Sequence, residues 1–367
     1  MNTKKSVGIA IFLLVLISFS GCLDIFNDLP QINTIIYEDH PIEVSYEITY
    51  GYTVDLSGKG KTILSYQEDY PDVLQGMLSD IIIHNKLSAR NITIAKNKMI
   101  FWEETFHDDT NIFLGITASI HCQGMLVSNL TGSQSLSRQQ IKQNHFDLIQ
   151  QYCSVQGNKT EKMIDPTHPF IESKANQILT NSQTDNALLL AKDVFIWLKT
   201  NTSYKIHIKN QETQSSIDTY LCKTGDCDDL SYLYIALCRS LQIPSRFIRG
   251  YLINRDAENI TLIPHVWAEV YVGNSLGNNG WIPVECAGTA PLQSEIHQNF
   301  ATEDVDHLRL FIDDGTNESL NTSSSHIEVE YEKDITVDLT HQAVINSYTI
   351  LSSKKLCVEE DKYRSYC

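Results

Sequence analysis

Positive charge is scarce in this chain of 367 residues, with 28 lysines and arginines against 45 aspartates and glutamates, a formal net charge of −17. Nucleic acid and anionic membrane surfaces are both bound through basic patches, so neither is an expected partner. Long apolar runs are missing too. The most apolar stretch, Val7 to Phe19, falls short of the roughly 20 residues that a spanning helix needs. No loop carries dense carboxylates at EF-hand spacing, so calcium dependence is not expected. The closely spaced ligand pairs of most zinc motifs are absent as well. No internal repeat is visible, and no cofactor is expected.

Lys4 and Lys5 precede the apolar run and Ser20-Gly21-Cys22 follows it, the layout of a targeting segment. Small residues just before a cysteine resemble a prokaryotic lipoprotein signal over residues 1–21, with Cys22 as the lipidated first residue. An uncleaved anchor and ordinary cleavage are the alternatives. All three place the rest of the chain outside the cell, and the first two tie it to the membrane. Residues 22–42, with Pro30 and Pro41 and no sustained period, read as a tether. Seven Asn-x-Ser/Thr sequons, at Asn91, Asn129, Asn158, Asn201, Asn259, Asn317 and Asn321, agree with that location. So does the cysteine content. With Cys22 and Cys227 set aside, the expected pairings are Cys357 with Cys367, Cys122 with Cys153 and Cys222 with Cys286, leaving Cys238 a buried free thiol.

From Glu43 to about residue 127 the sequence favours strands. EVSYEITYGYTVDL alternates, Gly58-Lys59-Gly60 turns into KTILSY, and KMIFWEETF and NIFLGITASIHC follow. Asp72 to Lys86 reads as a short helix. Residues 43–165 form a β-rich N-terminal region with a helix at its end, where Trp102, His107 and His121 read as packing or surface residues. Asp165-Pro166-Thr167-His168-Pro169 is a hard stop. Two helices are expected next, from Ile171 to Leu179 and from Asp185 to Lys199, the second with Asp185 as N-cap. After residue 300, HLRLFID and EVEYEKDITVDL are two further elements in an extension, 301–367, of no assigned role.

The stretch from Leu221 to Gly250 carries the chemistry. Cys227 sits in a Gly-Asp-Cys-Asp-Asp turn and opens a helix whose apolar residues Leu230, Leu233, Tyr234, Leu237 and Leu241 recur at three- and four-residue steps. Ile243-Pro244 ends it. A thiol at a helix N-terminus is a nucleophile candidate, because unpaired N–H groups and the dipole stabilise a thiolate. Asp226, Asp228 and Asp229 oppose that, at little cost if they point outward. Strands follow at Arg246 to Ile253, His265 to Val272 and Trp281 to Glu285. By alternation His265, Trp267, Glu269 and Tyr271 share one face, and Val266, Ala268, Val270 and Val272 face the core. A cysteine nucleophile needs a base and a group that orients the base. His265 can be the base, and Glu285, one strand away, can hold its tautomer.

The ordered set of Gly-x-Cys, Gln-Ile-Pro-Ser-Arg, Arg-Gly-Tyr, His-Val-Trp-Ala-Glu-Val and Gly-Trp-Ile-Pro-Val-Glu resembles the transglutaminase-like superfamily over about residues 166–300. The resemblance implies a papain-like α+β core, with Cys227 as nucleophile, His265 as base and Glu285 as orienting acid. The family usually has Asp in the third role, and Glu is one methylene longer. The backbone N–H of Cys227 is the first oxyanion donor to expect; no glutamine lies between Leu221 and Asp226 to supply the second. Tyr204, Tyr220 and Trp281 are weaker candidates. The expected activity is extracellular acyl transfer on amide bonds of proteins or peptides at the cell surface, hydrolytic rather than crosslinking. Protein-crosslinking transglutamination and a non-catalytic surface scaffold are the alternatives. A structural cysteine, a core histidine, a surface carboxylate or a zinc site would each explain one residue, but not the order of all the motifs.

Overall fold

In a computed structural model the described residues are 36–71, 76–86, 88–128, 130–154, 162–207, 212–255, 260–273, 276–288, 296, 298–358 and 365–366. The signal segment 1–21, Cys22, most of the tether, Cys367 and the sequons at Asn129, Asn158 and Asn259 lie outside them. The chain divides into Met1–Thr34 and Ile35–Cys367. Among the described residues no helix is long and apolar enough to cross a membrane.

The N-terminal strands are β1 (Ile36–Ser57), β2 (Thr62–Asp69), β3 (Gly76–Ile83), β4 (Ala89–Ile94), β5 (Asn97–Phe106), β6 (Thr110–Gln123) and β7 (Met125–Leu126). Next come α1 (Arg138–Asn144), α2 (Pro169–Ser182), α3 (Ala187–Asn201), β8 (Ser203–Tyr204), α4 (Ser216–Cys222), β9 (Thr224–Gly225) and α5 (Cys227–Ser240). The chain continues through β10 (Ser245–Arg255), β11 (Ile260–Tyr271), β12 (Trp281–Val284), β13 (Thr302–Glu303) and β14 (His307–Ile312). It ends with α6 (Asn317–Asn321), β15 (Ser325–Tyr331), β16 (Thr336–Val358) and β17 (Ser365–Tyr366). The fold is α+β, with antiparallel main sheets.

Two of those sheets, ordered β17-β16-β1-β6-β3 and β15-β2-β5-β4, surround one apolar core that holds Tyr46, Ile48, Leu64, Trp102 and Ile116. A third, β12-β11-β10-β14, packs with the helices around the other. This third sheet is buried on both faces. Phe247, Ala268, Val270 and Ile282 belong to the helical core, whereas Tyr251, Ile253, Leu308 and Leu310 belong to the β core.

Several expectations change. The segment 76–83 is strand, not helix, because it pairs with β6 from Gly76↔Cys122 to Ile83↔Ile116. Asn186 rather than Asp185 caps α3, accepting from Leu189 N, while Asp185 takes the Arg138 side chain at 2.8 Å. The outward face expected for β11 is also interior, with Trp267, Glu269 and Tyr271 at 1%, 0% and 6% exposure. Glu303, His307 and Arg309 cover that face, Trp267 donating to Glu303 at 2.8 Å and packing on the His307 ring, so period-two polarity has nothing to report. Glu269 is buried as an ion pair with Arg246 and Arg309 at 2.6 Å each. Residues 301–367 carry the largest surprise. β16 pairs with β1 from Ile36↔Val358 to Ser57↔Thr336, β15 pairs with β2, and β14 joins the helix-backed sheet.

The cysteines differ too. Cys122, Cys153, Cys222, Cys238 and Cys286 are free, so neither the 122–153 nor the 222–286 pairing forms. Cys122 sits in the β core and Cys153 in the helical one; Cys222 is exposed and Cys286 buried. Cys238 is the buried free thiol expected. Cys357 is disulfide-bonded, and Cys367, its expected partner, lies outside the described residues.

Candidate active site

Helix α5 begins at Cys227 and is buried on all sides from Asp229 to Arg239. It is a central helix rather than the amphipathic one its spacing suggests, since other helices cover one flank and β10 and β11 the other. Its start is held by Asp229, whose carboxylate accepts from the backbone N–H groups of Asp226 at 3.1 Å and Gln214 at 2.7 Å, and from His207 Nε2 at 2.7 Å. Gly225 makes room for this, because a Cβ there would lie 2.5 Å from Asp229 Cβ. At the other end Arg239 binds Asp313 at 2.6 Å and the Ser245 carbonyl at 2.8 Å. The nucleophile candidate therefore stands on a fixed base.

Cys227 and His265 line one cavity of about 240 Å³, together with Asp226, Asp228, Arg249 and Tyr251. Glu285 lies just beyond β12. Its Oε2 is 2.7 Å from His265 Nε2 and its Oε1 accepts the Ala287 N–H at 2.7 Å. Burial pushes the Glu285 carboxyl up, but His265 and His307 outweigh it and hold it well below the usual carboxylate range. An ionised Glu285 can only accept, so His265 donates from Nε2, and Nδ1 is the nitrogen left for the thiol.

The electrostatics of the thiol depart from expectation. Burial first, then the charge of Asp228, pushes the Cys227 thiol up to about 12; the Val266 N–H works in the opposite direction, and Asp226 and Glu285 raise it further. Asp226, Cys227 and Asp228 bring donor atoms within 4.8 Å of one another. Asp226 and Asp228 line the cavity with the thiol instead of pointing away. Asp226 is itself pushed up to about 8, by burial and by its hydrogen bond to Asp228. The resting site holds a neutral thiol, and its proton has to be taken during attack.

Among the other donor candidates, Trp281 packs edge-on against Tyr152 and Tyr271, and Tyr220 stacks between Phe170 and Trp197. Tyr204 is the one beside the thiol. β8 pairs with β9, Tyr204↔Gly225, and burial first, then the proximity of Cys227 and Asp226, pushes its hydroxyl up to about 12. It stays a neutral donor at physiological pH.

Two residues that sequence reasoning passed over belong to the site. Arg249, the arginine of Arg-Gly-Tyr, reaches Asp69 of β2 at 3.1 Å and the Thr322 carbonyl at 2.5 Å, so both flanking regions build the cavity wall. His307 lies 3.2 Å from Glu285 Oε2 through Nε2 and 2.7 Å from Asp304 Oδ1 through Nδ1. No motif marks it; it arrives through the pairing Leu252↔His307. His265, Glu285 and His307 bring donor atoms within 4.8 Å of one another, as do His207, Asp226 and Asp229. Hydrogen bonds among these groups account for both clusters, and no cation is assigned to either. A larger cavity of about 590 Å³, lined by Ile42, Gln123, Met125 and Tyr366 among others, has no cysteine or histidine among the described residues that line it.

Residues 172–286 match the family model of the transglutaminase-like superfamily. The chain resembles in fold a crystal structure from Cytophaga hutchinsonii, described as a candidate cysteine protease, at 13% identity and a TM-score of 0.50 over 90% of this chain and 100% of that one. The periplasmic domain of TgpA from Pseudomonas aeruginosa is more distant, at 11% identity and a TM-score of 0.30 over 64% of this chain and 86% of that one. No curated protein matches in sequence. At these identities the structural likeness speaks to the fold alone.

Proposed function

With residues 172–286 forming a transglutaminase-like core, we propose that the protein is a cysteine-dependent acyl-transfer enzyme that hydrolyses amide bonds of proteins or peptides outside the cell. The observation that carries this reading is the shared cavity of Cys227 and His265, with Glu285 bonded to the far nitrogen of that ring. Cys227 Sγ attacks the substrate carbonyl carbon while His265 Nδ1 takes the thiol proton. The neutral resting thiol makes that coupling necessary. The oxyanion is held by the Cys227 backbone N–H, with the Tyr204 hydroxyl as the second donor. Collapse expels the amine, which takes the proton from His265, and leaves a thioester. Water, giving a proton to His265, then attacks the thioester, releasing the acid and restoring the thiol.

The location rests on the lipoprotein-like segment with Cys22 and on the sequons, of which Asn91, Asn201 and Asn321 are exposed. A tethered enzyme of this kind meets protein and peptide substrates at the cell surface. Iodoacetamide labelling with mass mapping tests the reading. Cys227 should react faster than the exposed Cys222, and His265→Ala should remove that advantage. Equal reaction of the two cysteines in the wild type would leave only a scaffold. Turnover of a peptide library in the presence of a primary amine should give free acids; amine incorporation would turn the assignment to crosslinking.

A further inference from the structure

We propose that His307 is a positioning residue, an imidazolium that holds Glu285 in place and limits how strongly Glu285 attracts a proton to His265. The proposal deepens the function above and rests on it. Both nitrogens of His307 meet carboxylates, Nδ1 with Asp304 at 2.7 Å and Nε2 with Glu285 at 3.2 Å. Carboxylates accept, so each nitrogen must carry a hydrogen and the ring is a cation. Burial opposes that charge, and the Asp304 and Glu285 carboxylates outweigh it. His307 is 9% exposed, and its ring sits edge-on to Trp267 at 5.1 Å. The Trp267 indole is in turn anchored to Glu303 at 2.8 Å.

The geometry at Glu285 then has a clear division of labour. Oε1 takes the Ala287 N–H, and Oε2 takes N–H groups from both His265 and His307. Three donors leave the carboxylate one orientation. The charges matter as much. Asp304, His307 and Glu285 in series sum to a single negative charge beside His265. Without the His307 cation they would sum to two, and the cluster would pull harder on a proton at His265, opposing its role as base. Other ionisable groups facing this region include Cys227, Asp226 and Asp228 at the start of α5, Arg249 and Tyr251 on β10, Tyr204 on β8, Lys199 of α3 at the Cys286 carbonyl, Glu303 at the Trp267 indole and His40 near Asp304. The hydrogen bonds of Glu285 go instead to His265, His307 and the Ala287 N–H.

The test is the pH dependence of iodoacetamide alkylation at Cys227, mapped by mass in the full chain. The wild type should show an ionisation that His265→Ala abolishes. In His307→Gln the amide N–H still reaches Glu285 but the charge is gone. The plateau rate should survive, while that ionisation moves to higher pH by about one unit. In His307→Ala the ionisation should move likewise and the plateau should fall by about tenfold, since Glu285 loses a donor. A His307→Gln profile that superimposes on the wild type overturns the role of His307 alone, as does a lowered plateau with the ionisation unmoved. Absence of any His265-dependent ionisation in the wild type overturns both the proposal and the function beneath it. If His307→Ala fails to fold, His307→Gln decides by itself.

Discussion

Replacing Asp228 by Asn should make Cys227 more reactive. The two residues bring Sγ and a carboxylate oxygen within 4.8 Å. At that separation and an effective dielectric on the order of 20–40, the repulsion of a thiolate is about 2–3.5 kcal/mol. That corresponds to about 1–2.5 pKa units, with water around the partly exposed carboxylate favouring the lower end. The Asn side chain can still accept the Asp229 N–H now bonded at 3.0 Å and can meet the Thr213 hydroxyl, so the start of the helix is preserved. For a drop of about one unit the thiolate fraction at neutral pH rises about tenfold, and lower basicity returns about threefold of that, leaving roughly a threefold faster alkylation. The assay is the second-order rate of iodoacetamide with Cys227 in wild type and Asp228→Asn at several pH values. An unchanged or slower rate in a folded variant would refute the reasoning, because the thiol would then not feel this charge.

Two further outcomes follow from backbone contact and from burial. A Cβ at Gly250 would lie 1.8 Å from the Leu308 carbonyl oxygen, so Gly250→Ala should displace β14 and with it His307. A loss of about 1–3 kcal/mol in urea unfolding is expected, together with slower Cys227 labelling; wild-type values for both would contradict the packing argument. Glu68 is fully buried between Tyr66 and the Asp69 N–H, and burial pushes its carboxyl up to about 8. Its unfolded-state value is lower, so the folded protein binds the extra proton. Stability is therefore lost as pH rises from the unfolded value through about 8. Glu68→Gln should be close to wild type at acid pH and more stable than it by a few kcal/mol, to order of magnitude, at pH near 8; urea midpoints that keep a constant gap across that range would count against it.

The helix that Cys227 opens and the strand order were legible because they depend on local rules. Apolar steps of three and four marked α5, Ile243-Pro244 ended it, and the glycines and asparagines after Val272 separated β11 from β12. The register of period two failed on β11, where the second face is covered by residues from beyond position 300 and Glu269 is buried between arginines. The 122–153 and 222–286 pairings failed for a related reason, since spacing along the chain says nothing about which core receives each cysteine. The acidity of the thiol was misjudged as well: the sequence contains the three aspartates but not their directions, and two of them line the cavity with it.

By itself, then, the sequence determined the order of the candidate residues, from Cys227 through His265 to Glu285, because they lie in motifs whose turns and strands are set within a few positions. Tertiary structure alone decided what surrounds them. His307 comes from β14, Asp69 from β2 and Thr322 from the tail, and each reaches the site through strand pairing or packing between segments far apart in the chain. Such contacts depend on which sheet edges close on one another, a property of the whole fold that no local pattern encodes.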